Sequence, residues 1–147
     1  MPRAKAASLH ASPDDAEQQF YEALREADLD KLMAIWAEDE DVVCIHPGGP
    51  RMVGHEAVRV AFEAVFASGP IRVQPTNVRR LRTMDSAVHS VVEQVQLRTD
   101  EGVRVGYVMA TNVYSRTAEG WRLVMHHASP GTPHEPPELL ETPSVLH

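Results

Sequence analysis

The chain has 147 residues, one cysteine and a formal net charge of −7. This length is typical of one domain, which buries enough of its own surface to fold without a disulfide or a structural metal. The negative charge argues against a nucleic-acid-binding surface, and no apolar run approaches the ~20 residues of a membrane span.

A single domain with short flanking segments is the predicted organisation. We expect residues 1–11 to be a disordered lead-in, residues 12–130 to form the domain, and the proline-rich residues 131–147 to form a C-terminal tail. The lead-in lacks the apolar core of a secretory signal. Cys44 has no partner for an internal disulfide, which is typical of a reducing compartment, so we expect the protein in the cytoplasm.

Three helices are predicted in the first half of the chain. Ser12 and Pro13 indicate a helix start, because Ser is a favoured N-cap and Pro fits the first helical position. Apolar residues then recur at helical spacing, and Asp28 begins a second helix that we expect to end near 38–41. Short strands at 41–46 and 51–53 precede a third helix, which follows Gly54 and stops at 68–70.

The second half of the chain alternates apolar and polar residues, which is the pattern of strands. Long strands are predicted at about 71–83, 87–98, 103–116 and 120–129, with turns at 85–86, 101–102 and 119–120. Helices segregated from an antiparallel sheet define an α+β fold, with three N-terminal helices packed on an antiparallel sheet.

The turns predict which side chains share a face of the sheet. A two-residue turn at Glu101-Gly102 pairs Glu93 with Ala110, and a second hairpin that pairs Arg116 with Trp121 sets Ala110 opposite His127. Glu93 and His127 would then lie roughly 10 Å apart, with room for a ligand above Ala110. A bulged turn in either hairpin would reverse this assignment.

The opposite face of the sheet, which in this register carries His126, contains too many apolar residues for a solvated surface. A second copy of the chain is the natural cover for such a face. We therefore expect a homodimer through the outer face of the sheet.

Glu93 and His127 are the predicted catalytic residues. A histidine titrates near neutrality, and burial of a carboxylate favours its protonated form, so the two form a plausible acid–base pair. The alternative for His127 is a structural hydrogen bond to a strand neighbour or to water, and the alternative for Glu93 is a structural bond to a histidine or an asparagine. A metal site made of His46, Glu93 and His127 lacks a local spacing motif, and we expect no metal and no cofactor.

A pocket for a small apolar molecule needs further polar and aromatic side chains. His46 could reach the pocket mouth, and Asn112 and Tyr114 could hold a ligand oxygen, whereas the aromatic candidates could equally be plain core. The predicted ligand-binding residues are Trp36, His46, Phe62, Phe66, His89, Asn112, Tyr114 and Trp121.

An ordered set of segments resembles the NTF2-like superfamily. The segments are Phe20-Tyr21-Glu22-Ala23-Leu24, Asp28-Leu29-Asp30 to Trp36, Val42-Val43 to His46-Pro47-Gly48-Gly49, Gly54-His55-Glu56-Ala57-Val58, and Gly120-Trp121-Arg122-Leu123 to His127-Ala128-Ser129. Within the superfamily they are most similar to SnoaL-like, ketosteroid-isomerase-related proteins and to the association domain of calmodulin-dependent kinases. The resemblance implies a cone of helices over a strongly curved sheet, a pocket between them, and frequent dimers.

Two functions remain open from the sequence, because this family includes isomerases, cyclases, dehydratases, adaptors and oligomerisation domains. The first is an enzyme that uses acid–base chemistry on an apolar carbonyl substrate. The second is a non-catalytic ligand-binding or oligomerisation module. Open volume above Ala110 that both Glu93 and His127 reach would favour the first. A site filled by Trp36, Phe62 and Met125 would favour the second.

Overall fold

Three helices pack on one six-stranded sheet in the computed structural model, which describes residues 10–132. Almost all of the predicted lead-in and tail lie outside the described residues. The helices are α1 (Pro13–Glu26), α2 (Leu29–Ile35) and α3 (His55–Phe66). The strands are β1 (Val43–Ile45), β2 (Arg51–Val53), β3 (Val73–Arg82), β4 (Ser86–Thr99), β5 (Gly102–Thr117) and β6 (Gly120–Pro130). The predicted α+β class is confirmed.

The first two helices begin where the sequence predicts. The Ser12 side chain accepts a hydrogen bond from the backbone of Asp15 at 3.1 Å, and Pro13 follows at the first helical position. Ala27 ends α1 in the left-handed conformation, and the Asp28 side chain caps α2 through Lys31. These caps turn the chain sharply, so α1 and α2 form a helical hairpin.

The second helix is shorter than predicted. It ends at Ile35 because Trp36 leaves the helix to bridge Leu123 of β6, and the Ala37 backbone N–H donates to the Leu123 carbonyl at 3.0 Å. Pairing with the sheet therefore replaces the helical hydrogen bonds that a longer α2 would make.

The sheet is curved and unclosed, with the strand order β2-β1-β6-β5-β4-β3. All neighbouring strands are antiparallel except β1 and β6, which run parallel. This arrangement sets β1 beside the last strand, so that the chain segment around His46 lies next to the C-terminal half of β6. None of the helices formed by residues 10–132 has the length and apolar character needed to cross a bilayer.

The two long hairpins close on the same sequence, Thr-x-Glu-Gly, at 99–102 and 117–120. In each, the Thr hydroxyl donates to the Gly carbonyl and accepts from the Glu backbone N–H. Gly102 and Gly120 have φ values of 112° and 106°, which glycine adopts without a steric penalty. The two central residues are therefore the turn, and the Thr and the Gly are the first paired residues.

This turn geometry confirms the start of one predicted register, from the turn to Tyr114–Leu123, and corrects the other. Arg116 pairs with Trp121 as predicted. The earlier turn is Asp100-Glu101 rather than Glu101-Gly102, so Glu93 pairs with Val108 and not with Ala110. The predicted row of Glu93, Ala110 and His127 is wrong.

A β-bulge in β6 exchanges the roles of the two adjacent histidines. Tyr114 pairs with Leu123, but the next residue, Val113, pairs with Met125, so one extra residue is inserted in β6. Every side chain after the bulge changes face. His126 is therefore buried beneath the helices and His127 is exposed on the outside, the reverse of the prediction.

Candidate functional site

An apolar cavity of about 290 Å³ lies between α1, α3 and the inner face of the sheet. Its only polar side chains in the described part of the chain are those of His46, Glu93 and His126. The remaining lining residues are Phe20, Leu24, Pro47, Phe62, Val65, Ile71, Val73, Val95, Val108 and Ala128. A few polar groups in an otherwise apolar cavity are typical of a small-molecule site.

Glu93 is the ionisable centre of this cavity. The residue is 6% exposed, and its carboxyl group accepts a hydrogen bond of 2.7 Å from the Tyr21 hydroxyl. Burial raises the pKa of Glu93 to about 7, an effect that the Tyr21 hydrogen bond opposes and the nearby Glu17 charge reinforces. Glu93 can therefore either release or accept a proton near neutral pH.

Behind Glu93, a buried hydrogen-bond network joins α1 to the sheet. The Asn112 amide nitrogen donates to the Tyr21 hydroxyl at 3.0 Å and to Glu17 Oε2 at 3.2 Å. The Asn112 amide oxygen lies 2.6 Å from His126 Nδ1. Asn112 thus connects both polar ends of the cavity to the same helix.

Glu17 anchors that network. Its Oε2 atom accepts from the Tyr114 hydroxyl at 2.7 Å and from His89 Nδ1 at 2.9 Å, in addition to Asn112. All four of these side chains are buried. Three donors on one carboxyl oxygen fix the position of α1 over the sheet, and they hold Tyr21 and Asn112 in place behind the cavity.

Both cavity histidines are held in their uncharged forms. Burial, with smaller contributions from the neighbouring His46 and His127, lowers the pKa of His126 to about 3. Burial also lowers the pKa of His46, whose Nε2 lies 3.5 Å from Cys44 Sγ. Burial raises the pKa of the Cys44 thiol to about 12, so this group stays protonated. Glu93 is therefore the cavity side chain that changes charge near neutrality.

The predicted site residues fall into three groups in the structure. Glu93, His46 and Phe62 line the cavity, and Phe66 packs beside Phe62 with their ring centroids 5.9 Å apart. His89, Asn112 and Tyr114 belong to the buried network behind Glu93. Trp36, Trp121 and His127 lie elsewhere: Trp36 is core beside β6, Trp121 packs under Arg82, and His127 is on the outer face.

Three residues at the centre of the site were missed from the sequence. Glu17 and Tyr21 lie one helical turn apart and share the buried stripe of α1 with Phe20 and Leu24, a spacing that is visible in the sequence. His126 was assigned to the wrong face because no residue in the sequence of β6 indicates that the strand contains a bulge.

No cluster of three or more His, Cys, Asp or Glu side chains within residues 10–132 is arranged to hold a metal ion. The polar groups of the cavity instead form hydrogen bonds to uncharged partners. The chemistry that this arrangement supports is proton transfer and hydrogen bonding to a small apolar molecule.

Comparisons with known proteins agree with this architecture. The sequence profile of the SnoaL-like domain matches residues 14–133. No protein of curated function matches the chain. A candidate calcium/calmodulin-dependent protein kinase type II association domain from Thiobacillus denitrificans is 38% identical, with a TM-score of 0.76, over 84% of this chain and 98% of that one. A candidate dehydratase of the NTF2-like family from Streptomyces avermitilis is 30% identical, with a TM-score of 0.70, over 80% and 92%.

Proposed function

The chain belongs to the SnoaL-like domain family, within the NTF2-like fold, and on this premise we propose that it is a small-molecule enzyme. In this proposal the cavity binds a small, largely apolar carbonyl compound, and Glu93 exchanges a proton with it. The reaction class is that of an isomerase, cyclase or dehydratase, in which a proton is removed from one atom and delivered to another.

The observation that carries the proposal is a single titratable carboxyl group inside an apolar cavity. An exposed glutamate is fully ionised at neutral pH, whereas burial raises the pKa of Glu93 to about 7. A catalytic group is most effective when its pKa lies near the working pH. The Tyr21 hydroxyl fixes one carboxyl oxygen and leaves the other for the ligand.

The proposed step is proton abstraction next to a carbonyl group. The Glu93 carboxylate takes a hydrogen from the α-carbon as a proton, the C–H electron pair forms a new carbon–carbon π bond, and the carbonyl π pair moves to oxygen. Glu93 holds the proton and then delivers it either to the same carbon or to another atom of the enolate. The step needs no redox cofactor, because it changes no oxidation state.

Exchange of α-hydrogens for deuterium tests this proposal directly. We expect the protein in deuterated buffer to accelerate exchange at the α-carbon of 1-indanone or 1-tetralone, measured by proton NMR against buffer alone. A cavity of about 290 Å³ suits such bicyclic ketones, since it is roughly twice the ~150 Å³ cavity that holds benzene. Exchange no faster than in buffer for any ketone of this size would contradict the catalytic proposal.

The second candidate function is a non-catalytic oligomerisation module. Exposed apolar side chains on the outer face of the sheet favour it. Val88 and Met109 on this face are each 37% exposed, and both lie in the long central strands β4 and β5. The relative that is 38% identical is a candidate association domain. We propose that a second copy of the chain covers this face, which would make the protein a homodimer.

Sedimentation at micromolar concentration tests the dimer. We expect the wild type to sediment as a dimer and Val88→Lys to sediment as a monomer, because a lysine at the centre of an apolar interface would lose its hydration. Val60→Lys on α3 is the control, since Val60 is an exposed apolar side chain on a helix. A monomeric wild type would contradict the proposal.

The cytoplasm is the proposed location, and the free thiol supports it. Cys44 is buried and unpaired with another cysteine. A lone reduced cysteine fits a reducing compartment.

A further inference from the structure

The orientation of the Asn112 amide follows from its partners. Glu17 Oε2 accepts from the hydroxyl of Tyr114 and from the ring nitrogen of His89, so it also acts as an acceptor toward Asn112. The atom of Asn112 that faces Glu17 is therefore the nitrogen, and the oxygen faces His126. The carboxyl group of α1 thus determines which end of this amide reaches the histidine.

The amide oxygen in turn selects the tautomer of His126. A carbonyl oxygen only accepts hydrogen bonds, so the His126 Nδ1 atom 2.6 Å away carries the hydrogen and donates it. In an uncharged imidazole the other nitrogen then has a free lone pair. Burial keeps the ring uncharged, since it lowers the pKa of His126 to about 3.

The remaining nitrogen, Nε2, has no hydrogen-bond partner among residues 10–132. The His126 side chain lines the cavity and is 5% exposed, with the Phe20 ring 5.2 Å away on one side. This acceptor faces a cavity open to water, and a ligand that displaces that water without donating a hydrogen bond leaves it unsatisfied. A ligand that donates a hydrogen bond at this point would satisfy it.

We propose that His126 is a specificity-determining residue, whose Nε2 atom accepts a hydrogen bond from a hydroxyl group of the ligand. The ligand class is then a neutral hydroxylated ring compound, such as a phenol, an enol or a cyclic alcohol. This inference rests on the proposed small-molecule cavity, although it does not require that the protein catalyse a reaction.

The two polar ends of the cavity have different roles in this arrangement. His126 is held as an acceptor by Asn112, whereas Glu93 can both donate and accept as it titrates. A hydroxyl group on His126 would leave the second polar group of the ligand for Glu93. A hydroxy ketone, or its enol, offers both groups on one small apolar molecule.

The tautomer is tested on the wild-type protein without any ligand. We expect nitrogen–proton correlation spectra of the labelled protein to show the Nδ1–H tautomer of His126, unprotonated at Nε2 from pH 6 to pH 8. An Nε2–H tautomer, or a charged ring in this range, would overturn the inference.

Ligand selectivity is tested with two probes that contain no carbonyl group, 2-naphthol and 2-fluoronaphthalene. They have nearly the same shape, and only the naphthol donates a hydrogen bond. In NMR titrations we expect the wild type to bind 2-naphthol about 10-fold more tightly than 2-fluoronaphthalene, because one hydrogen bond contributes a free energy of this size. Equal affinities, or binding of neither probe, would overturn the inference.

Three variants show which side chain causes the selectivity. His126→Phe should remove the preference for the naphthol, whereas His127→Phe, the neighbouring residue on the outer face, should retain it. Glu93→Gln should also retain it, which separates this inference from the proposed catalysis. A wild type that accelerates no ketone exchange but still prefers the naphthol would refute the catalytic step alone. Naphthol selectivity lost in Glu93→Gln but kept in His126→Phe would refute the assignment to His126.

Discussion

Replacing Glu17 by alanine is expected to lower the free energy of unfolding by about 3 kcal/mol. The substitution leaves the buried donors of Tyr114, Asn112 and His89 without their shared acceptor. Each unpaired buried donor costs on the order of 1–3 kcal/mol, and water entering the space left by the side chain offsets part of that cost. Urea denaturation at neutral pH measures the difference.

Two further variants make the interpretation of Glu17→Ala specific. Gln18→Ala changes the next residue of the same helix, where the side chain is exposed, and should cost less than about 0.5 kcal/mol. Glu17→Gln keeps one acceptor oxygen and should lie between the two. A Glu17→Ala variant as stable as Gln18→Ala would show that the network does not hold α1 to the sheet.

The helix starts and the strand pattern were predictable because they depend on local physics. The Ser12 and Asp28 side chains accept from free backbone N–H groups at the start of α1 and α2, and Pro13 has no N–H that needs a partner. The alternation after residue 71 likewise requires only that one face of each strand be buried. The end of α2 was mispredicted because Trp36 pairs with a strand almost ninety residues away in sequence.

The site was only partly predictable because it depends on strand register. Glu93 was identified as a buried carboxylate from its apolar neighbours, and this required no knowledge of its partners. The face of His126 depends on one inserted residue opposite the Tyr114–Val113 step of β5, and the sequence of β6 has neither a glycine nor a proline at that point to mark it. A change of one residue in register is enough to exchange an inner and an outer histidine.

The buried network was missed because polar residues on a helix are usually solvated. Glu17 follows the acidic first turn of α1, where Asp14 and Asp15 interact favourably with the helix dipole, and it resembles a third member of that group. Its spacing of four residues from Tyr21 is the feature that sets it apart. A glutamate on the same stripe as aromatic side chains must find donors across the core, and here it finds them on β4 and β5.

Replacing Glu93 by glutamine is expected to lower the rate of α-hydrogen exchange by about 10²- to 10⁴-fold, the usual contribution of a positioned general base. Glutamine has nearly the same shape and still accepts the hydrogen bond from Tyr21, but it takes no proton at neutral pH. Ketone binding should persist, because the apolar lining is unchanged. Exchange followed by NMR, together with a ketone titration, separates the two effects.

The pH dependence of the wild type identifies the same group independently. The unprotonated form of Glu93 is the base, and its pKa is raised to about 7, so exchange catalysed by the protein should increase as the pH rises through 7 and then level off. An exposed glutamate acting as the base would already be fully active at pH 6. Glu63→Gln, at an exposed position of α3, should leave both rate and profile unchanged. A Glu93→Gln variant that kept the wild-type rate and midpoint would assign the chemistry to another residue.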